Sequence, residues 1–489
     1  MILGDLLPQS ALPNGLGETE VRGIAYDSRQ AAPGFLFFAF PGQKADGRAF
    51  AAQAMERGAV AVVSESARPE GFVAGAWIQV EHGRRALALA ARAFYGRPDE
   101  RLSITGITGT NGKTTTSYIL DSVLRAAGRT TLLVGTIEYR LGGRAVAAVN
   151  TTPESLDLFR MFAELEARGG THATMEVSSH ALALGRVHGI RFHTAVFTNL
   201  TRDHLDFHDS MEEYFAAKRM LFEGAGAPAP RFAVLNHDDP YGRLIRAGAE
   251  TETLHYGLHS GARVRAVNVH SGFEGLRFEV QHGPERVAVA SPLPGRMNVY
   301  NILAAWCAAT SYGIPAETMV RGIAECRAVP GRFEKVEAGQ PFLVVVDYAH
   351  TDDALRNAIS VARGLDPKRV LTLFGCGGDR DRAKRPLMGE AAAALSDFVV
   401  LTSDNPRSED PLAIINDATV GLGRHDTPYL TEPDREKAIR LALQRAEPGD
   451  IVILAGKGHE TYQILKDRTI PLDDREVARR VLGELGYRA

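Results

Sequence analysis

The residues with the clearest chemical potential lie in a glycine-rich turn between an apolar strand and a helix, Thr108-Gly-Thr-Asn-Gly-Lys-Thr114. Its two glycines permit backbone conformations that let several N–H groups point toward one anion at the positive end of the helix. Lys113 can reach the outer phosphates of a nucleotide, and Thr114 can place its hydroxyl on Mg²⁺. Ile107 stands where the general motif has its first glycine, and a ligand-free turn is the simpler alternative. The strand, the Lys-Thr pair and the following helix nevertheless favour a nucleotide site.

Three further groups that suit magnesium–nucleotide chemistry follow this turn along the chain. Glu176 stands at the end of an apolar strand, His204 lies in a segment with two histidines and two aspartates, and Lys218 lies in an amphipathic helix. Ligands of α/β proteins bind where strands end, and Mg²⁺ takes oxygen ligands, so Glu176 can supply one beside Thr114. A single histidine or helical lysine is more often structural or solvated. The phosphate turn upstream is what favours a site here.

Two other polar segments leave their role open. Asn150-Thr-Thr-Pro-Glu154 leads into a helix, and its small polar side chains either cap that helix or grip a substrate. Tyr26-Asp-Ser-Arg29 and residues 41–48 sit beside strand-like runs, where turn chemistry explains them as well as ligand binding does. The residues alone do not decide between these alternatives.

The segment Asp404-Asn-Pro-Arg407 follows a strand and bears on substrate choice. Arg407 offers a planar guanidinium that matches a carboxylate with two hydrogen bonds, and Arg385 can add a second cation. Residues 375–385 and 456–460 form further glycine-containing loops after strands. A glycine-rich loop is by itself only a weak sign of a cofactor.

The elements that must position these residues alternate between strands and helices. The apolar runs predict strands at Phe35–Phe40, Ala59–Val63, Thr131–Thr136, Phe342–Val346, Val370–Phe374, Phe398–Leu401 and Ile451–Leu454. Helices are predicted at Ala49–Arg57, from Thr114 to about Ala127, and from Asp353. The alternation predicts an α/β fold.

Composition narrows the class of protein. At 489 residues the chain exceeds one core, so two to four domains are expected. No apolar run approaches the roughly 18 residues of a membrane span, and the start of the chain lacks a signal peptide. A net charge of −3 gives no basic surplus for nucleic acid or an acidic membrane. Three cysteines without metal-ligand spacing indicate a reducing cytoplasm.

The order of six motifs resembles the Mur ligases. The motifs are Thr108-Gly-Thr-Asn-Gly-Lys-Thr114, Met175-Glu-Val-Ser-Ser-His180, Asn199-Leu-Thr-Arg-Asp-His204, Tyr214-Phe-Ala-Ala-Lys218, Asp347-Tyr-Ala-His350 and Gly456-Lys-Gly-His-Glu460. The resemblance covers nearly the whole chain and implies three α/β domains. These are a UDP-sugar-binding domain at residues 1–98, a central P-loop ATPase domain with a mostly parallel sheet at 99–331, and a Rossmann-like, amino-acid-binding domain at 332–489.

The resemblance also implies a reaction. Family members with Asp-Asn-Pro-Arg at the place of residues 404–407 add meso-diaminopimelate, whereas lysine-adding members lack this arginine. The expected activity is ATP-dependent ligation of meso-diaminopimelate to the D-Glu of UDP-MurNAc-L-Ala-D-Glu through an acyl phosphate, in peptidoglycan precursor synthesis. ATP is the expected cosubstrate, with two Mg²⁺ ions, and the expected protein is a cytoplasmic monomer that binds no nucleic acid and does not insert into membranes.

The family's functional residues map onto matching positions of this chain. The catalytic set is Lys113, Glu176, His204 and Lys218. The magnesium ligands are Thr114, Glu176, His204 and Lys218, the last as a carbamate formed with CO₂. The ATP site comprises Thr108, Gly109, Thr110, Asn111, Gly112, Lys113, Thr114, Asn298, Asn301, Arg332, Asp347 and His350. The UDP-MurNAc-dipeptide site comprises Tyr26, Ser28, Gln43, Lys44, Ala45, Asn150, Thr151, Thr152, Ser178 and Arg186. The diaminopimelate site comprises Arg385, Asp404, Asn405, Pro406, Arg407, Gly456 and Glu460.

Two departures and two alternatives accompany this interpretation. Leu184 stands where the family commonly has glutamine, and Asp352 stands where it has proline. Folylpolyglutamate synthase resembles the same central and third domains, but the segment at Tyr26 ahead of the P-loop speaks against it. A nucleotide-switched binding protein without ligase activity would also carry a P-loop.

Overall fold

The computed structural model describes residues 1–42, 46–204 and 207–488. It forms two compact units, Met1–Arg265 with Leu303–Gly322, and Ala266–Ile302 with the residues from Ile323 onward. Among the described helices, none combines the length and the apolar composition needed to cross a membrane.

The N-terminal part of the first unit is a four-stranded parallel sheet in the order β1-β2-β3-β4. Its strands are β1 (Gly23–Ala25), β2 (Phe35–Phe38), β3 (Ala61–Ser64) and β4 (Ala76–Gln79), and its helices are α1 (Ala51–Glu56) and α2 (Gly83–Phe94). Side chains alternate between two apolar clusters, since Phe37 and Val62 join one and Phe38 and Val63 join the other. The predicted strands are confirmed, and the predicted helix is shorter because a 3₁₀ turn precedes it.

The rest of the first unit is built on a mostly parallel sheet. Its elements are β5 (Ser103–Thr108), α3 (Lys113–Ala126), β6 (Thr131–Val134), β7 (Glu138–Leu141), β8 (Arg144–Ala147), α4 (Ser155–Ala167), β9 (His172–Glu176), α5 (Ser179–Ala183), β10 (Thr194–Phe197), α6 (Met211–Glu223), β11 (Phe232–Asn236) and β12 (Glu252–Gly257). The strand order is β12-β11-β10-β5-β9-β6-β7-β8, and only β7 and β8 run antiparallel to their neighbours. The carboxyl ends of β10, β5, β9 and β6 therefore meet at one edge.

Several elements lie at the boundary between the units or in the second unit alone. They are β13 (Val264–Gly272), β14 (Gly275–His282), β15 (Glu285–Ser291), α7 (Met297–Ser311) and α8 (Ala316–Glu325). The strands β14 and β15 pair as an antiparallel hairpin.

The C-terminal part of the second unit is a second parallel sheet with helices on both faces. Its elements are β16 (Glu334–Lys335), β17 (Leu343–Asp347), α9 (Asp352–Arg363), β18 (Val370–Cys376), α10 (Lys384–Leu395), β19 (Phe398–Ser403), α11 (Pro411–Leu422), β20 (Tyr429–Glu432), α12 (Arg435–Arg445), β21 (Ile451–Ala455), β22 (Tyr462–Ile464), β23 (Thr469–Pro471) and α13 (Asp474–Glu484). The order is β16-β17-β21-β18-β19-β20, and only β16 is antiparallel. The predicted α/β class and the predicted strands of this part are confirmed.

Candidate active site

The phosphate turn is held open by contacts with the loop after the neighbouring strand β10. Gly109 has φ 148°, and a Cβ at that position would lie 1.9 Å from Thr198 Oγ1. The backbone N–H of Thr110 donates to Asn199 O at 2.8 Å, and that of Asn111 donates to Asn199 Oδ1 at 3.0 Å. These contacts fix the turn between β5 and α3 in the shape of a phosphate cradle, with Gly112 in the left-handed region at the helix start.

Lys113 heads the helix and folds back over the turn. Its ammonium donates to Gly109 O at 2.9 Å and to Thr110 O at 2.8 Å. A cation held at the mouth of a backbone cradle suits the outer phosphates of a nucleotide.

Glu176 lies at the carboxyl end of β9, fully buried beside the cradle. Its Oε2 accepts hydrogen bonds from the hydroxyls of Thr114 and Thr136, each at 3.0 Å, and its Oε1 accepts from the N–H of Thr136 at 2.8 Å. Gly135 allows this approach, because a Cβ there would lie 2.4 Å from Oε1. A buried carboxylate next to a P-loop threonine is the oxygen-donor set that Mg²⁺ prefers, so these residues fit a magnesium ion.

Lys218 on α6 is the second lysine at the cradle, and its side chain is almost fully buried. Its amine donates to Gly109 O at 2.8 Å and lies 4.3 Å from the centre of the Tyr214 ring. Burial, and then the nearby charge of Lys113, lower the pKa of Lys218 well below its ordinary value. The amine is therefore far more readily neutral, and so nucleophilic, than that of an exposed lysine.

A cluster of aromatic and imidazole rings surrounds Tyr214. The ring of His204 lies 4.9 Å from that of His180 and 5.9 Å from that of Tyr214, while His208 lies 5.1 Å from Tyr214. His204 has φ 54° and a side chain that is 43% exposed. Within the described residues no group of three or more His, Cys, Asp or Glu side chains is arranged to hold a metal ion. The oxygen donors that the structure brings together at the cradle are the carboxylate of Glu176 and the hydroxyl of Thr114. The predicted metal contacts of His204 and Lys218 stay predictions.

The loops after β8 and β9 are joined by polar contacts that also cap a helix. Thr152 Oγ1 donates to Glu176 O at 2.9 Å and accepts from the N–H of Ser178 at 3.1 Å. Ser178 Oγ accepts from the N–H of Ala181 at 3.1 Å at the start of α5. The side chain of Arg186 donates to Thr152 O at 3.1 Å. For residues 150–154, where the sequence left capping and ligand binding open, the side chain of the N-cap residue Glu154 makes no capping hydrogen bond to α4. Ligand binding by these residues stays a prediction.

Three other residues predicted to bind the UDP-MurNAc-dipeptide make contacts outside this group. The hydroxyl of Thr151 lies 3.1 Å from that of Thr136, which places it next to the Glu176 carboxylate, and the carbonyl of Asn150 accepts from Tyr139 Oη at 2.6 Å. Ser28 is buried and donates to Gln53 Oε1 at 2.7 Å.

Tyr26 joins the first sheet to the central one, since its hydroxyl donates to Asp157 Oδ2 at 2.6 Å. The predicted contacts of Gln43, Lys44 and Ala45 lie outside the described residues.

The predicted nucleotide residues of the second unit form two local groups. Asn298 and Asn301 are buried on α7, where Asn301 Nδ2 donates to Asn298 Oδ1 at 2.9 Å. Asp347 at the end of β17 accepts from the N–H of Phe333 at 2.7 Å, and burial raises the pKa of Asp347.

Two further residues of the nucleotide set lie around Tyr348. Arg332 lies over its ring at 5.0 Å from the centre, and His350 Nδ1 lies 2.8 Å from its carbonyl oxygen.

The two arginines predicted to bind diaminopimelate differ in the contacts that their guanidinium groups make. Arg385 is buried, and its guanidinium forms ion pairs with Glu409 at 2.7 Å and Asp417 at 2.9 Å. Arg407 is half-buried with φ 53°, and its Nη1 donates to Gly378 O at 2.7 Å. These ion pairs connect the start of α10 to the loop after β19 and to α11. The predicted contact of Arg385 with substrate stays a prediction.

The loops after β19 and β21 are joined through a buried lysine. Lys457 Nζ donates to Glu460 Oε2 at 2.7 Å and to Asn405 Oδ1 at 3.2 Å. Asn405 Nδ2 donates to Glu460 Oε2 at 3.0 Å. Gly456 is required by close packing, because a Cβ there would lie 2.7 Å from Asp404 Oδ2. Two of the predicted amino-acid residues, Asn405 and Glu460, are thus in one hydrogen-bond network, and Asp404 and Gly456 pack against each other.

Comparison with known families covers the three parts of the chain. Residues 20–95 match the Mur ligase family catalytic domain, residues 107–309 the Mur ligase middle domain, and residues 331–458 the Mur ligase glutamate ligase domain. The chain belongs to the Mur ligase family. The three-domain organisation expected from the sequence is confirmed by these matches.

Several similar Mur ligases share one name. A protein of Solibacter usitatus named UDP-N-acetylmuramoyl-L-alanyl-D-glutamate--2,6-diaminopimelate ligase is 67% identical over 100% of this chain and 99% of its own length. A protein of Geobacillus thermodenitrificans with that name is 48% identical over 96% of each chain. A solved structure of an enzyme with that name superposes with a TM-score of 0.71, 32% identity and 97% of each chain covered.

The structure brings forward residues of this Mur ligase that the sequence did not single out. Thr136 donates twice to Glu176, and Asn199 shapes the phosphate turn. Lys457 links the loops after β19 and β21. Arg380 is exposed, and both it and Arg407 lie within 4 Å of the position that a Cβ on Gly377 would take. All four lie just beyond strand ends, and that position is the signal that sequence reasoning could have used.

Proposed function

We propose that this chain is an ATP-dependent ligase that joins meso-diaminopimelate to the D-Glu of UDP-MurNAc-L-Ala-D-Glu, a step of peptidoglycan precursor synthesis. The observation that carries the proposal is the joint presence of the phosphate cradle with Glu176 and of Arg407 in its loop, in a chain 67% identical over its whole length to a diaminopimelate ligase. The first site suits phosphoryl transfer, and the second suits a substrate with a distal carboxylate.

The reaction proceeds in two steps. The γ-carboxylate oxygen of D-Glu attacks the γ-phosphorus of ATP, so a P–O bond to ADP breaks and an acyl phosphate forms. The neutral amine of diaminopimelate then attacks the acyl carbon, phosphate leaves, and the amine loses its proton as the amide forms. Lys113 and the backbone N–H groups of the cradle stabilise the charge on the phosphoryl group. Mg²⁺, when bound, supplies further charge neutralisation beside Thr114 and Glu176.

Lys218 acts as a carbamate in this proposal. Its neutral amine attacks CO₂, a C–N bond forms, and one proton is released to give an anionic oxygen donor. Its burial and its position on the same carbonyl as Lys113 support this assignment. With His204 and Glu176, the carbamate would provide for two Mg²⁺ ions, a number that the proposal takes over from the family.

The remaining residues are assigned by substrate. The UDP-MurNAc-dipeptide is bound by Tyr26, Ser28, Gln43, Lys44, Ala45, Asn150, Thr151, Thr152, Ser178 and Arg186. The nucleotide is bound by the cradle residues Thr108 to Thr114 and by Asn298, Asn301, Arg332, Asp347 and His350. Among the described residues of these sets, the buried polar side chains of Thr114, Thr152 and Asn298 support the assignment, because they lie at or just before a helix start.

Diaminopimelate is bound by the loops after β19 and β21, with Asp404 to Arg407, Gly456 and Glu460. A Cβ on Gly377 would lie 3.1 Å from Arg407 Nη1 and 3.7 Å from Arg380 Cγ, so the two arginines flank one glycine. We add Arg380 as the second cation and retain Arg385 mainly to hold the loop. Lysine would leave the Arg407 donors without a carboxylate, which disfavours it by about 1–3 kcal/mol.

The proposal places the enzyme in the cytoplasm as a monomer. The three cysteines are buried and form no disulfide, as expected for a reducing compartment.

The test is ADP release measured with each substrate omitted in turn. A ligase releases ADP only when ATP, UDP-MurNAc-L-Ala-D-Glu and diaminopimelate are all present, and Lys113→Ala should lower this rate by orders of magnitude without unfolding the protein. Release that does not depend on the other two substrates would favour a nucleotide-switched binding protein, and near-normal release by Lys113→Ala would overturn the cradle assignment.

A further inference from the structure

A fully buried ion pair lies beneath the loops that follow β19 and β21. Arg435 opens α12 and Asp474 opens α13, and neither side chain is exposed. The pairing is bidentate, with Arg435 Nε 2.8 Å from Asp474 Oδ1 and Nη2 2.6 Å from Oδ2. This geometry leaves part of the guanidinium free for other acceptors.

The other donors of Arg435 reach the last carbonyls of two strands. Nη1 donates to Ser403 O at 3.2 Å, and Nη2 donates to Ala455 O at 2.9 Å. Ser403 ends β19 and Ala455 ends β21, and the two strands are separated in the sheet by β18. The planar guanidinium of Arg435 therefore reaches across β18 and connects the ends of β19 and β21, from which the amino-acid loops begin.

The loops are tied a second time nearer their tips by Lys457, Asn405 and Glu460. Arg435 thus joins the ends of the two strands, and Lys457 joins side chains that follow them.

The stability of the folded chain alone gives little reason for the ion pair between Arg435 and Asp474. Replacing a buried ion pair by apolar residues of similar size is often neutral or stabilising, because desolvation offsets the attraction. Its two strand-end contacts instead suit a role in spacing, since a fixed guanidinium fork holds four acceptor atoms in one plane.

We propose that Arg435 and Asp474 are positioning residues that set the distance between the Arg407 loop and the Glu460 loop, and thereby the selection of a long amino acid charged at both ends. This inference rests on the proposed function, in which both loops bind diaminopimelate. The binding of a substrate with two charged ends is sensitive to this spacing, because each end must lie within hydrogen-bond distance of its own loop.

The test compares Arg435→Met, Arg435→Lys and Asp474→Asn with a matched control at the other end of the same sheet. Arg369 pairs with buried Asp450 at 2.6 Å, and Asp450 immediately precedes β21. Arg369→Met removes an ion pair that also has a fully buried aspartate, although Arg369 itself is 39% exposed, and it touches neither amino-acid loop.

The expected result is a KM for diaminopimelate raised about tenfold to a hundredfold in both Arg435 variants, with kcat and the KM values for ATP and the UDP-dipeptide within about threefold of the parent. Lysine keeps the charge but lacks the fork, so it should not restore the KM. Asp474→Asn should also raise the KM for diaminopimelate. If Arg435→Met does not fold, Asp474→Asn takes its place in the test. The control should leave all KM values unchanged.

Two contrary outcomes are distinguishable. If Arg407→Ala raises the KM for diaminopimelate but the Arg435 and Asp474 variants do not, the positioning role is overturned and the proposed function stands. If all three KM values rise together, or if Arg369→Met has the same effect, the pair is structural only. An unchanged KM in Arg407→Ala would overturn the assignment of the amino-acid site, and this inference with it.

Discussion

Lys218 lies in an environment unlike that of an ordinary, solvent-exposed lysine. Its amine is buried, donates to the same carbonyl as Lys113, and has a pKa well below its ordinary value because of burial. Lys218→Ala should lose most activity and recover part of it when short carboxylic acids are added, since they can occupy the vacated anionic position. Arg219→Ala removes an exposed ion pair one residue away and should leave activity unchanged. Normal turnover by Lys218→Ala would refute the carbamate.

Arg407 should decide affinity for diaminopimelate. Arg407→Ala should raise the KM for this substrate by about ten- to a hundredfold, because a charged hydrogen-bonded contact is worth about 1.5–3 kcal/mol. The KM values for ATP and the UDP-dipeptide should change little. The neighbouring exposed Ser408→Ala is a suitable control. An unchanged preference for diaminopimelate over lysine in Arg407→Ala would place the discriminating contact elsewhere.

At the scale of elements, the short turn after β6 carries a strict steric requirement. A Cβ on Gly135 would lie 2.4 Å from Glu176 Oε1, so Gly135→Ala must displace the carboxylate from Thr114 and Thr136. We expect turnover to fall at least about tenfold, measured as ADP release at saturating substrates. Gly483→Ala, where a Cβ meets no atom within 4 Å, should leave the rate unchanged. Equal rates for both variants would show that Glu176 need not stay in place.

Much of the fold and part of the site follow from sequence, for identifiable reasons. The helix predicted from Thr114 to about Ala127 is found at Lys113–Ala126, because its glycine boundaries and apolar spacing are local signals. The contacts of Asn199 with the phosphate turn are not local, since they depend on β10 pairing with β5 across about 90 residues. The ion pair between Arg385 and Glu409 could not be predicted either, because the sequence does not show whether an arginine is buried or exposed.

One departure from the family pattern has a simple structural explanation. Asp352 is the first residue of α9, after a Thr351 side chain that accepts from the N–H of Ala354. Proline and aspartate are both suited to this position, the first by its fixed φ and the second by its charge near the helix N-terminus. The replacement therefore need not disturb the loop after β17.

At the scale of the whole molecule, buried histidines make stability depend on pH. Burial, and then the charge of Arg129, lower the pKa of His172 from 6.5 to about 4. His172 packs against Tyr312 at 4.8 Å and lies near His193, whose pKa burial also lowers. The unfolded chain takes up a proton at His172 below about pH 6.5, whereas the folded chain does so only near pH 4. The contribution of His172 is present above pH 6.5 and is lost as pH falls toward 4.

Thermal unfolding between pH 7.5 and 4.5 checks this prediction. The fall in Tm should be smaller in His172→Asn than in the parent chain, because the variant lacks the titrating group. His425→Asn, an exposed control, should follow the parent. Identical pH dependence in His172→Asn and the parent would show that His172 does not couple protonation to folding.

The central claim is that this chain ligates diaminopimelate to UDP-MurNAc-L-Ala-D-Glu at the expense of ATP. The most direct measurement is one ligation reaction with ATP, Mg²⁺, the UDP-dipeptide and equal concentrations of meso-diaminopimelate and lysine, with the product identified by its mass. The account predicts a UDP-MurNAc-tripeptide that contains diaminopimelate almost exclusively, together with one ADP for each amide bond. A product that contains mostly lysine, or ADP released without any tripeptide, would contradict it.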